Sequence, residues 1–229
     1  MISSTLLRPA EFVESHLLNA ILDGTYPIHS TLPNERDLAD QLGVTRPTLR
    51  EALQRLSRDG WLDIQQGKST RVRDYWQEGS LATLNALASS PHHQSPDFVA
   101  YLLEIRLLLA PTYTRQALQH ASPQIAALLG RAEELGQDPV SYAIFDWELH
   151  HALTQFATNP IFQLLLNGFK DIYAQVGKTY FSFEECRSES RKFYQGLLIC
   201  AKSEDLDSSE ALLRETMRIS LDLWLRLGG

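Results

Sequence analysis

The chain of 229 residues has only two cysteines, Cys186 and Cys200, fourteen positions apart and in no CxxC pairing. That spacing excludes a disulfide framework and a zinc knuckle and fits two reduced thiols. The sequence also lacks the ~18 unbroken apolar residues of a membrane helix. Its greasiest stretch, Tyr101 to Ala110, is interrupted by Glu104 and Arg106. Met1 to Pro9 has no basic cluster, apolar run and small-residue cleavage site, so the expected location is the cytosol, with no membrane partner. No internal repeat or low-complexity tract is present. With 44% hydrophobic and 21% charged residues the chain is neither disordered nor fibrous, and its length allows one large domain or two small ones.

An excess of positive charge is missing too. The balance of 21 basic and 28 acidic residues gives −7, which taken alone argues against nucleic acid, because phosphate binding needs positive potential. The average hides a patch. Residues 1–75 carry 9 basic and 10 acidic groups, and residues 76–229 carry 12 and 18, so the deficit is C-terminal. Within 44–73, Arg46, Arg50, Arg55, Arg58, Lys68, Arg71 and Arg73 face only Glu51, Asp59 and Asp63, a local +4.

Apolar periodicity gives the elements around this patch. Val13, Leu17, Ala20 and Ile21 recur at helical spacing between Arg8 and Asp23, ended by Gly24 and Pro27. A short second helix is predicted over Glu35–Leu42, stopped by Gly43. A third starts at Thr45, whose hydroxyl can cap it, and runs to Asp59 with Leu49, Ala52, Leu53 and Leu56 on one stripe. Trp61, Leu62 and Ile64, then Thr70, Arg71 and Val72, read as a hairpin with Gln66, Gly67, Lys68 and Ser69 at its tip. Polar breaks at Gly79–Ser80, Ser89–Pro91 and Ser95–Pro96 place a linker at 76–96 between a domain of residues 1–75 and one of 97–229. The C-terminal domain reads as an antiparallel all-α bundle, with helices expected near 97–119, 123–135, 138–157, 160–180, 184–202 and 207–227. The expected fold is mainly α: a winged helix-turn-helix followed by a helical sensor.

A helix-turn-helix needs a small residue where its helices cross, a glycine in the turn and an apolar anchor six residues later. Ala39, Gly43 and Leu49 meet these requirements. With the apolar stripe turned inward, Arg46 and Arg50 point outward from the turns that enter a major groove. There an arginine can read guanine through two parallel hydrogen bonds, while Arg36, Thr45 and Thr48 reach phosphates or flanking bases. The run LPNERDLADQLGVTRPTLREALQRLSRDGWL with the GKST tip after it resembles the winged helix of the GntR family of bacterial transcription regulators, over residues 8–73. The resemblance implies a homodimer on a palindromic double-stranded operator. It also implies a wing (Gln66, Gly67, Lys68, Thr70) that reaches the minor groove. Gln66 stands where the family's wing typically has histidine, and Ser69 where it has proline.

Two readings of the C-terminal half stay open. Asp146 and His150, four apart with His151 beside them, resemble the DxxxH pair with which many members of the FCD subgroup hold a metal and an organic acid. The two later histidines of that subgroup are absent, with Tyr194 and Ser220 at the aligned positions and no histidine after His151. Alternatively, NPIFQLLLNGFKDIYAQVGKTYF (159–181) and Trp224 resemble the acyl-CoA-sensing, fatty-acid-regulating branch of the GntR family. That resemblance implies a long-chain acyl-CoA effector and a pocket lined by Phe169, Tyr173, Val176, Tyr180 and Trp224. It also implies that Arg106 pairs with Asp146 or a CoA phosphate, and that Tyr180, Ser220 and Trp224 touch ligand. His150 replaces an aromatic residue of that branch. No cofactor is expected, and no enzyme: Asp146, His150 and His151 are the chain's one cluster of acid–base groups.

Overall fold

The computed structural model describes residues 8–90 and 95–228; the start of the chain, on which the export reading rests, and the break at Pro91 lie largely outside them. No helix among the described residues is long and apolar enough to cross a membrane. The chain divides into two compact units near residue 93.

The first unit opens with α1 (Pro9–Leu22), α2 (Glu35–Leu42) and α3 (Arg46–Arg58). Each begins where a side chain accepts from a free first-turn amide or a proline removes one. Pro9 starts α1, Asn34 Oδ1 accepts from Asp37 N at 3.0 Å, and Thr45 Oγ1 accepts from Thr48 N at 3.4 Å. Gly43 closes α2 at φ +66°, a left-handed turn that a Cβ would strain. Val13, Leu17, Leu49 and Ala52 are fully buried where α1 packs on α3, and Leu38 and Ala39 close the crossing of α2 with α3. Two short antiparallel strands follow, β1 (Leu62–Asp63) and β2 (Arg71–Val72), paired Leu62 with Val72 and Asp63 with Arg71. Thr31 bridges to Arg71 on the other edge of β2. Between the strands, Lys68 N bonds to Gln65 O at 3.1 Å and Gly67 adopts φ +77°, the geometry of a tight turn with glycine at its third position.

The range 76–96 is not an irregular linker. It holds most of α4 (Tyr75–Glu78) and all of α5 (Leu81–Ser89). Ser80 explains the difference: its hydroxyl accepts from Ala82 N and its amide donates to Thr83 Oγ1, so a polar pair that reads as a loop is a helix start.

The second unit is all helical among its described residues: α6 (Pro96–Gly130), α7 (Pro139–Phe156), α8 (Ile161–Gly168), α9 (Lys170–Tyr180), α10 (Glu184–Ser203) and α11 (Leu206–Leu223). A 3₁₀ turn covers Arg131–Glu134, and a wide helical turn covers Trp224–Gly228. Three boundaries differ from expectation. The helices expected at 97–119 and 123–135 are separated as expected within α6, where Ala121 leaves helical geometry (φ −145°, ψ 34°) and Pro123 takes a first-turn position in which it lacks only an amide that needs no partner, but the second of them ends at Gly130 rather than 135. The helix expected at 160–180 bends at Phe169, between α8 and α9. The last helix ends at Leu223 before the wide turn. α6 runs through the core against α7, α10 and α11, with Tyr113, Ile125, Leu149, Leu153, Leu197 and Leu213 in the buried centre.

Candidate functional site

In the first unit the expected DNA-reading residues lie on exposed surface at the start of α3 and at the strand tip, but their electrostatic states differ. Arg46, at the first position of α3, has no carboxylate or hydrogen-bond partner among the described residues. Arg50 is not free as expected: its Nε donates to Glu35 Oε2 at 2.7 Å, because the first turn of α2 brings that carboxylate beside the second turn of α3. Arg36 leans on Asp37 at 3.2 Å. Thr45 and Thr48 share a hydroxyl contact of 2.9 Å that serves the helix cap. At the tip, Lys68 Nζ donates to Gln65 Oε1 at 2.7 Å, and Gln65 donates in turn to Asp63 Oδ2 at 2.8 Å. Gln66 and Gly67 are exposed and Thr70 half-buried. Arg55 and Arg58 are neutralised by Glu14, Glu51 and Asp59, so the free positive potential concentrates at Arg46, Lys68 and Arg71, the last bonded only to the His29 carbonyl.

In the second unit, α6, α7, α8, α9, α10 and α11 line a predominantly apolar cavity that opens to solvent. Arg106, Asp146, Phe169, Tyr173, Val176, Tyr180, Ser220 and Trp224 all line it. The bend at Phe169 turns Phe162, Leu165 and Leu166 of α8 onto the same space as Val176 and Tyr180 of α9. At Gly177 the wall is thin: an added Cβ would lie 2.9 Å from Ala143 Cβ. Tyr180 donates to Ser220 Oγ at 3.3 Å, and Trp224 Nε1 donates to Pro96 O at 2.9 Å.

One wall is polar. Asp146 Oδ2 accepts from Arg106 Nη2 at 3.0 Å and from the Tyr173 hydroxyl, and Oδ1 accepts from the Tyr194 hydroxyl at 2.9 Å. Arg106 also lies over the Tyr173 ring, 5.2 Å from its centroid. Burial works against the Asp146 charge, but Arg106 and the two tyrosines outweigh it and hold the carboxyl below its usual range. Burial likewise opposes the Arg106 charge and is overcome by Tyr173 and Asp146. Burial pushes Tyr113 up to about 12, and raises Tyr173, Tyr180 and Tyr194 as well, so all four remain donors at neutral pH.

His150 stands just behind this wall. It is fully buried, its Nδ1 2.8 Å from the Tyr113 hydroxyl and its Nε2 4.0 Å from Asp146 Oδ1. Burial, with Arg106 adding to it, depresses its pKa to about 3 and leaves it neutral. The Asp146–His150 pair of the metal reading is therefore already committed to tyrosines and an arginine. No group of three or more His, Cys, Asp or Glu able to hold a metal occurs among the described residues. His151 points elsewhere, against the Trp147 ring. Tyr113 and Tyr194 were missed as site residues. Tyr113 lies seven positions after Arg106, a spacing shared by ordinary core residues, and Tyr194 was noted only as standing where metal-holding relatives have histidine, so their role as partners of a buried aspartate had no signal of its own. Cys186 and Cys200 are free and buried.

A winged helix that presents an exposed arginine, joined to a helical unit with an apolar cavity, defines a class: the transcription regulator with a DNA-reading head and a helical second domain. Residues 9–72 match the model for bacterial regulatory proteins of the gntR family, and residues 73–228 match the FadR C-terminal domain. The chain belongs to the GntR family, in the branch with the FadR C-terminal domain. It is 40% identical over 219 residues to the fatty acid metabolism regulator protein of Shewanella sp. (strain ANA-3), covering 96% of this chain and 91% of the relative. The same named protein of Shewanella baltica (strain OS155 / ATCC BAA-1091) is 39% identical, with 96% and 92% covered. Among solved structures, one describing Lar, which controls the expression of the Listeria monocytogenes agr system, superposes with a TM-score of 0.63 at 16% identity over 98% of this chain and all of that one, a likeness of fold. The protein is thus a DNA-binding transcription regulator and not an enzyme.

Proposed function

We propose that this chain is a homodimeric, cytosolic regulator of fatty-acid metabolism that holds a palindromic operator when unliganded and releases it when long-chain acyl-CoA enters the sensor cavity. In this reading it represses fatty-acid degradation and activates unsaturated fatty-acid synthesis. The observation that carries it is the cavity: an apolar, aromatic-lined space with one polar wall suits a long hydrocarbon tail ending in a polar head. Relatives at about 40% identity bear the name fatty acid metabolism regulator protein, which supports the same metabolic setting. Arg46 reads a base edge, and Gln66, Gly67, Lys68 and Thr70 hold the backbone and the minor groove.

An effector can change DNA affinity only if it favours one conformation over another. The Arg106–Asp146–Tyr173–Tyr194 cluster supplies such a difference. A ligand head that draws Arg106 away uncovers a buried carboxylate, and α6, α7, α9 and α10 must readjust to satisfy it. The test is a titration of the operator-bound protein with palmitoyl-CoA at fixed salt, followed by fluorescence anisotropy of the labelled duplex. Release at micromolar palmitoyl-CoA is expected; unchanged anisotropy at saturation rejects the effector assignment.

A further inference from the structure

Neither close packing nor an apolar pocket accounts for His150. Its ring lies nearly parallel to Phe193, 15° apart with centroids 6.3 Å apart, and edge-on to Tyr113. A phenylalanine would fill the same volume with no polar atom to satisfy, whereas the histidine leaves Nε2 buried without a hydrogen-bond partner. An orphaned N–H of this kind is costly, so its direction matters.

That direction follows from the groups around it. A carboxylate can only accept, so the imidazole nitrogen that faces Asp146 is favoured as an N–H over a bare lone pair. The Tyr113 proton therefore goes to His150 Nδ1, which must be bare. A neutral imidazole then carries its one proton on Nε2, the nitrogen that faces Asp146 Oδ1 across 4.0 Å. Tyr113, His150 and Asp146 thus line up donor to acceptor, with Arg106 bonded to the other carboxylate oxygen, and the step from His150 to Asp146 is roughly an ångström longer than a hydrogen bond.

We propose that His150 is a positioning residue for the sensor, a reserve donor whose Nε2–H moves onto Asp146 Oδ1 when an effector head engages Arg106. The inference rests on the reading of the cavity as an acyl-CoA site and adds a determinant of its affinity. Without the reserve donor, binding leaves Asp146 with only its tyrosines. With it, part of the lost charge-assisted bonding is recovered within the same cluster, and the effector binds more tightly.

Isothermal titration of the full chain with palmitoyl-CoA tests this. His150→Phe weakens binding about tenfold, the worth of one hydrogen bond to a charged group, while the unliganded melting temperature stays equal or rises. His150→Gln, which keeps an N–H, recovers much of the loss. In an Asp146→Asn background His150→Phe changes the affinity by less than a factor of about two, because the charge it serves is gone. Nitrogen-15 NMR of the wild-type imidazole gives a reading free of variants: Nε2 carries the proton, and its signal moves downfield on adding palmitoyl-CoA. Equal weakening by the Phe and Gln variants, an undiminished effect in the Asn background, or an unmoved imidazole proton overturns the inference while wild-type binding leaves the effector reading standing. Wild-type protein that does not bind palmitoyl-CoA overturns both.

Discussion

The two units place arginine in opposite settings. Arg46 stands exposed on a helix start with no partner, so its charge is available to whatever docks there, whereas Arg106 is held against Asp146 with its charge already answered. An exposed cation gains by meeting a new anion, and its partner sets the specificity. A buried pair gains nothing from its own attraction beyond the cost of desolvation, but resists the loss of either member strongly. The same side chain thus serves as a probe in one unit and as a constraint in the other. Arg50 lies between these cases: its bond to Glu35 at 2.7 Å must open or turn before the guanidinium can read a base.

The contrast breaks most visibly at Asp146. Asp146→Ala strands Arg106 and two tyrosine hydroxyls and should cost about 3–5 kcal/mol in denaturant unfolding, while Glu35→Ala, which strands an exposed arginine, should cost under about 1 kcal/mol. Equal losses would show that burial does not distinguish the two pairs. Next in size, Arg46→Ala should weaken operator binding by about 1–3 kcal/mol, concentrated at one base pair. Lys68→Ala should weaken binding on every duplex and reduce the salt slope by about 1. Matching losses on specific and random DNA for both variants would remove the separation of reader from anchor.

Acidity gives a third comparison. His150 is neutral in the fold down to about pH 3 but takes a proton in the unfolded chain below its ordinary value near 6.5. As pH falls through that window the unfolded state binds more protons, and stability drops by up to about 1.4 kcal/mol per unit. His150→Phe should flatten the decline between pH 6 and 4. Asp146, whose carboxyl is depressed, contributes stability that is present above its unfolded pKa and is lost only at lower pH. A smaller effect is expected at Thr45: Thr45→Ala removes the α3 cap and should cost about 1 kcal/mol, with no effect on cavity ligands.

The first unit was legible because its signals are local. The limits read at Arg8, Asp23, Gly43, Thr45 and Asp59 each lie within a residue of a helix end, and Leu49, Ala52, Leu53 and Leu56 are all buried as their spacing requires. What escaped was a contact across fifteen residues, Glu35 with Arg50, which no local pattern encodes. In the second unit the resemblance to a known branch brought together eight residues that the cavity also brings together, but periodicity alone misjudged the helices. Apolar residues continue at helical spacing from Ile161 through Val176, so a bend at Phe169 leaves no trace in the period. The polar wall was half legible: Asp146 and Arg106 stood out as charges in apolar helices, but their tyrosine partners look like core.

The bond from Trp224 to Pro96 joins the last helical turn of the sensor to the first turn of α6, 128 positions earlier in the chain. Pro96 is where the backbone arrives from the DNA-binding half. Any shift of the indole must therefore either sever that link or drag the entrance of α6 along with it, which ties the two ends of the helical unit into one mechanical element.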